Sequence, residues 1–99
     1  MRETGEHLLA GLRGLMERHR IIGDVRGIGL MAAIELVRDR ETKEPAREER
    51  NAILRRAFEA GLTLLPAGES AIRFSPPLTI RPAEIDTGLR ILDRAMEGY

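Results

Sequence analysis

Between Ile28 and Leu36 the chain sets an apolar side chain at every second position: Ile28, Leu30, Ala32, Ile34 and Leu36. A period of two gathers them on one face of an extended strand. Leu30, Ile34 and Val37 also fall at helical spacing, so periodicity alone leaves both readings open. Gly27 and Gly29, close behind Arg26, favour one extended segment bending into a second. We therefore expect two strands within residues 24–37.

Helical stripes bracket this stretch. Residues 3–20 carry Leu8, Leu12, Leu15 and Met16 along one side, with Leu9 beside them. Gly11 and Gly14 oppose that helix by ~1 kcal/mol each relative to alanine, and Gly23 is expected to stop it. Residues 38–46 form a charged loop containing Pro45. Residues 47–60 show Ile53, Leu54, Ala57 and Phe58 on one side, and Gly61 sits where a left-handed cap belongs. Leu62 to Leu65 is a short apolar run, 66–70 is a turn, and Ala71 to Ser75 alternates again, which together spell a strand, a turn and a return strand. Pro82 suits the first turn of a helix. Ile85, Leu89, Leu92 and Met96 follow at spacings of four, three and four, and Gly98 closes the pattern. The expected order is α-β-β-α-β-β-α, an α+β domain with a small, mostly antiparallel sheet and helices packed on it. The other face of the sheet, or one end, is left needing a cover.

Ninety-nine residues permit one small domain, 1–99, with no repeat or linker. Sixteen basic residues balance sixteen acidic ones, which removes the electrostatic case for nucleic acid or an anionic membrane. Three aromatic residues are too few for a base-stacking platform. No apolar run approaches the ~20 residues of a membrane span, and no secretion signal opens the chain, so the cytoplasm is the expected compartment. Without cysteine there is no disulfide or thiolate chemistry. His7 and His19 lie twelve apart, which is not the spacing of turn-related metal ligands, and both read as helix-surface residues. No metal site is expected. Fifteen of the sixteen basic residues are arginine. The one lysine, Lys43, lies among Arg38, Asp39, Arg40, Glu41 and Glu44, where nothing suggests the burial that would make its amine nucleophilic.

The segment Gly27 to Ala32 loosely matches a dinucleotide-binding glycine motif, but the motif needs a helix after it and here the next residues alternate. Arg73, between Ile72 and Phe74 and just before Pro76-Pro77, is the most informative residue. On a stiff strand end its fork suits a carboxylate, and its plainer reading is a surface arginine paired with a nearby acid. Arg26 reads as a salt-bridge partner. Ser70 has no base near it in sequence, so a nucleophilic serine is not expected. Glu48, Glu49, Asp86 and Asp93 read as solvated helix acids.

The stretch Gly23 to Met31, the run Ile34-Glu35-Leu36-Val37, the loop Asp39 to Pro45, Gly61-Leu62, the string Ile72 to Thr79 and Glu84-Ile85-Asp86 together resemble a known small domain. It is the C-terminal domain of class-III, fold-type I, pyridoxal-phosphate-dependent aminotransferases. The resemblance runs through essentially the whole chain and favours strands for 24–37. Gly68-Glu69-Ser70 looks closest to the 4-aminobutyrate and acetylornithine branch, a look that racemases of the same class share. The resemblance implies that Arg73 binds a substrate carboxylate at the mouth of the active site. It also implies amino-group transfer between an amino acid, omega-amino acids included, and a 2-oxo acid. The pyridoxal 5'-phosphate, its Schiff-base lysine and its phosphate pocket would belong to a large domain absent from these 99 residues. Lys43 matches the family's surface loop and does not replace that lysine, so no catalytic or cofactor-binding residue is assigned here and the chain alone is expected to be inactive. The implied partners are the large domain, the substrate and, in a homodimer, a second copy. One departure is Arg81, where the family usually has a capping threonine or serine, which should weaken the last helix's start by ~1 kcal/mol. The rival readings are a non-catalytic interaction domain that keeps the fold, and part of a related racemase.

Overall fold

The alternating and helical stripes fold into one sheet with helices on a single face. The structure is a computed structural model that describes residues 2–28, 31–75 and 79–99. The chain runs α1 (Arg2–Arg18), β1 (Ile22–Ile28), β2 (Met31–Asp39), β3 (Glu44–Pro45), α2 (Arg47–Glu59), β4 (Leu65–Ala67), β5 (Ala71–Phe74) and α3 (Pro82–Ala95). The sheet order is β1-β2-β5-β4, with β3 paired to the far end of β2, and every pairing is antiparallel. The expected α+β class and element order hold, with the two-residue β3 as an added strand inside the expected loop. Two bridges, Val37 to Pro45 and Asp39 to Glu44, leave Arg40 to Lys43 as a tight turn in which Lys43 takes a φ of 59°.

Register decides which side chains are buried. Ile34 lies opposite Ile72 and Ala32 opposite Phe74, so these four point to the same face. With Leu36 they meet Leu8 and Leu12 of α1, Ile53 and Ala57 of α2, and Ile85, Leu92 and Met96 of α3 in one core. The expected alternation of Ala32, Ile34 and Leu36 is therefore real. Leu30 and Gly29 lie outside the described residues, as do Pro76 and Pro77.

Helix α2 ends as its sequence predicts. Gly61 adopts a φ of 97°, its N–H donates to the Phe58 carbonyl, and the Leu62 N–H donates to the Ala57 carbonyl. That pair of bonds satisfies two of the carbonyls a helix end leaves open. Helix α3 begins on Arg81 without a side-chain cap, yet the Glu84 carboxylate reaches back to accept from the Arg81 N–H at 2.9 Å. An arginine side chain has no acceptor, so this is half of a capping box. It offsets part of the weak start expected at Arg81.

Several local expectations are corrected: the strand expected over 62–65 lies at Leu65–Ala67, inside the expected turn, and Phe58 is exposed and not on the buried stripe of α2. Gly23 does not stop a helix: it lies inside β1 at a register irregularity, where a Cβ would sit 2.7 Å from Val37 Cγ2. Gly11, a penalty in isolation, stands where a Cβ would collide with Leu89, so its bareness lets α1 approach α3. The same contact carries two cross-helix pairs, His7 Nε2 with Asp86 Oδ1 at 2.6 Å and His19 Nε2 with Asp93 Oδ1 at 2.5 Å. His19 is only 11% exposed, so it is an interface residue and not a surface one, and Asp86 and Asp93 serve the other helix and not their own.

Arg38 links β2 to α2. Its guanidinium donates to both Glu49 oxygens, at 2.9 and 3.2 Å, and to Glu44 at 3.1 Å. The hydrogen bonds from Arg38 hold the Glu49 carboxyl below the usual carboxylate range. A depressed folded pKa stabilises the fold above the unfolded value and stops doing so as pH falls through the folded one. Glu49→Gln should therefore lose stability against the parent chain at neutral pH, and the gap should close below about pH 4, near the unperturbed glutamate value. Urea midpoints at a series of pH values read this directly. In the core, Ile72→Ala should lower the unfolding free energy by ~2–5 kcal/mol, whereas Met31→Ala, on the uncovered face, should stay within about 0.5 kcal/mol.

Candidate functional site

The face of the sheet opposite the helices carries the candidate site. Partners in register share a face, so Arg26 of β1, Ala33 of β2, Arg73 of β5 and Leu65 of β4 form one row across it. The next row is Asp24, Glu35, Ala71 and Ala67. Small side chains floor the middle of this face, and Met31 and Leu65 stand exposed at 56% and 47%.

Its two cations differ. Arg26 donates to Glu35 at 2.8 Å and approaches Asp24 at 3.5 Å, which is the plain salt-bridge role expected for it. The Arg73 side chain is exposed and forms no hydrogen bond or ion pair among the described residues, while its backbone is part of the ladder with Ala33 and Leu65. The acid that the plainer reading of Arg73 calls for is not found beside it among the described residues.

Arg73 also borders a cavity of about 270 Å³ between the start of β4, the end of β5 and α3. Leu62, Leu64, Leu65, Ile80, Ile85 and Leu89 give it an apolar wall. The charged residues on its lining are Arg73 and Glu84, and the Glu84 carboxylate is engaged by the Arg81 N–H. An apolar wall with an arginine among its lining residues suits a molecule with an aliphatic body and one anionic end. The fork can then receive a carboxylate through two parallel N–H···O bonds.

Other sequence candidates lie elsewhere. Gly27 lies in β1 and Ala32 in the antiparallel β2, so the residues that follow the motif form a strand and not the helix whose N-terminus would hold a pyrophosphate. Ser70 is 6% exposed, its carbonyl accepts from the Leu36 N–H, and both histidines are paired with aspartates. Among the described residues no three His, Asp or Glu side chains gather as metal ligands. Lys43 is exposed in the β2–β3 turn and is not on the cavity wall. No helix is long and apolar enough to cross a membrane among the described residues.

The residue that sequence reasoning passed over is Arg50. It is 6% exposed, and its guanidinium donates to the carbonyls of Ala67 at 3.2 Å and Ala71 at 2.9 Å, while Nε donates to Asn51 at 2.8 Å. The signal was present: Arg50, Ile53 and Ala57 fall three and four apart on one buried stripe of α2. An arginine on an apolar stripe needs acceptors at its tip.

A family model described as "Aminotransferase class-III" matches residues 1–96. A 5-aminovalerate aminotransferase of Pseudomonas aeruginosa is 49% identical over 91 residues, 90% of this chain and 21% of that protein. A leucine/methionine racemase of Thermococcus litoralis is 42% identical over 94 residues, 95% of this chain and 21% of the racemase. A Bacillus anthracis aminotransferase crystal structure superposes with a TM-score of 0.93 at 33% identity, covering 99% of this chain and 23% of the other. An amine transaminase from an uncultivated Pseudomonas species, in its PLP-bound form, gives 0.88 at 37% identity, covering 96% and 22%. The chain thus spans about a fifth of the length of the curated relatives it matches.

Because the Arg73 side chain has no partner among the described residues, Arg73→Met should shift the unfolding free energy by less than about 0.5 kcal/mol. A larger loss, read from chemical denaturation, would mean that the guanidinium supports the fold itself.

Proposed function

This chain belongs to the class-III aminotransferase family, and we propose that it serves as the C-terminal small domain of a pyridoxal-phosphate-dependent enzyme. In that reading the enzyme moves an amino group between an amino acid and a 2-oxo acid, and this domain helps to close the active site and binds the substrate carboxylate through Arg73. The observation that carries the reading is the Arg73 side chain on the uncovered sheet face, without a partner among the described residues, on a strand that borders an apolar cavity. The 4-aminobutyrate and acetylornithine branch, and omega-amino acids as donors, belong to the same proposal. A 4-aminobutyrate aminotransferase of Escherichia coli is 39% identical over 97 residues, which supports that branch.

Pyridoxal phosphate supplies an electron sink and is held by a lysine amine. The residues of this chain do not fit that task, since Lys43 is exposed in a turn at a φ of 59° and lines no cavity. We therefore assign the cofactor to a large domain outside this chain, and place the uncovered sheet face against it. A second copy in a homodimer and a cytoplasmic location complete the proposal. The chain's own part is to orient: Arg73 fixes the carboxylate end, and the apolar wall excludes water from the aliphatic body.

A racemase is the second reading, favoured by the 42% identity to the leucine/methionine racemase. The two separate on products, because a racemase inverts an amino acid without releasing a 2-oxo acid.

In the full-length enzyme Arg73→Met should raise KM for 5-aminovalerate about ten- to a hundredfold, the equivalent of the ~1.5–3 kcal/mol of a hydrogen bond to a charged group. KM for the uncharged donor 1-aminopentane should change less than twofold. Equal losses on both donors would contradict carboxylate binding at Arg73.

A further inference from the structure

Arg50 is a buried cation that no carboxylate neutralises among the described residues. Its acceptors are main-chain carbonyls and one amide: Ala67 at 3.2 Å, Ala71 at 2.9 Å and Asn51 at 2.8 Å. A buried charge held only by dipoles is a poor way to gain stability, because removing it from water costs more than neutral groups would. The placement of its acceptors is what sets it apart. Ala67 and Ala71 face each other as the last register pair of β4 and β5, so one guanidinium grips both strands where the 68–70 turn closes. Arg47, one turn earlier on α2, donates to the Glu69 carbonyl inside that turn at 3.4 Å. From the other side the Leu36 N–H donates to the Ser70 carbonyl at 3.0 Å.

Arg73 lies two residues beyond Ala71 on the same strand. A strand's side chains alternate, so a slip of one residue in β5 would turn Arg73 into the core and Ile72 outward. β5 is held against β2 by four register pairs, but on its other side it meets only the three-residue edge strand β4, so the β4–β5 hairpin is the weaker half of this arrangement. We propose that Arg50 is a positioning residue for substrate binding: by seating its guanidinium on the Ala67 and Ala71 carbonyls it locks the β4–β5 register that aims Arg73. This rests on the reading of Arg73 as the carboxylate-binding group. Both carbonyl bonds leave Nη1 while Nε is held by Asn51, so a lysine in place of Arg50 could reach the carbonyls with its ammonium but would lose the Nε anchor that orients the group, whereas methionine fills the space without any donor.

The test uses the full-length holoenzyme with 5-aminovalerate and 1-aminopentane as donors, and four variants: Arg50→Lys, Arg50→Met, Arg73→Met and Arg50→Met with Arg73→Met. Amide hydrogen exchange over residues 65–74 is followed alongside. Arg50→Met should speed exchange across β4 and β5 and raise KM for 5-aminovalerate about tenfold, with kcat/KM for 1-aminopentane within twofold. Arg50→Lys should fall between it and the parent. In the Arg73→Met background, Arg50→Met should add less than a twofold further rise, because nothing is left to aim. If Arg73→Met is selective for the carboxylate donor and Arg50→Met is not, the positioning role is wrong and the reading of Arg73 stands. Should Arg73→Met show no selectivity, the reading of Arg73 fails and the positioning role fails with it. Equal losses by Arg50→Lys and Arg50→Met on both donors would mark Arg50 as a support of the fold alone.

Discussion

The pairing of β5 with β2 governs this domain, because it sorts side chains between a covered and an uncovered face. Ala33 stands opposite Arg73, and Ile34 stands opposite Ile72. A displacement of one residue would exchange those roles, burying a guanidinium and exposing an isoleucine. The apolar term opposes that strongly: burying a side chain the size of Ile72 is worth ~1.5–3 kcal/mol, and the cost of desolvating an unpaired cation adds to it. Helices α1, α2 and α3 then cap the apolar side, and the other side carries alanines, Met31, Leu65, the Arg26 cluster with Asp24 and Glu35, and an Arg73 without a side-chain partner among the described residues.

Much of what fastens the outer parts to this sheet is arginine on main-chain carbonyl. Arg40 donates to the carbonyls of Met16, His19 and Arg20 at the end of α1. Arg56 donates to Ala95 and Glu97 at the end of α3 while its guanidinium lies 4.8 Å from the Tyr99 ring centre. Arg50 does the same for the β4–β5 turn. Helix ends and turns present several carbonyls in a fan, and a planar fork with five donors reaches more than one at a time. A lysine ammonium has no such plane.

Elements whose signal is local were legible in the sequence. Ile85, Leu89, Leu92 and Met96 mark α3 by spacing alone, and Gly61 marks the end of α2 because a φ of 97° suits glycine. The stretch that forms β2 stayed ambiguous on periodicity, since Ile34 serves a strand face and a helix face equally well. What stayed hidden depends on partners far away in the chain. Gly23 looked like a helix stop because nothing local says that Val37 will press against it. His19 and Asp93 are 74 residues apart, so their pairing leaves no trace in either neighbourhood. Arg50 left a trace, as a cation on an apolar stripe, but its acceptors belong to a turn that the sequence does not connect to α2. At the candidate site, Arg73 was legible as a residue; its lack of a partner and the cavity beside it required the fold.

One sheet face is uncovered, the Arg73 side chain on it has no partner among the described residues, and the one lysine of the sequence is exposed in a turn. The most direct measurement is a crystal structure of the full-length enzyme with 5-aminovalerate or glutarate bound. The account predicts both guanidinium N–H edges of Arg73 about 2.7–2.9 Å from the two oxygens of the ligand carboxylate, with the cavity wall of Leu64, Leu65 and Leu89 along the aliphatic chain. An Arg73 found locked onto an acid of the large domain, with the ligand carboxylate held elsewhere, would contradict it.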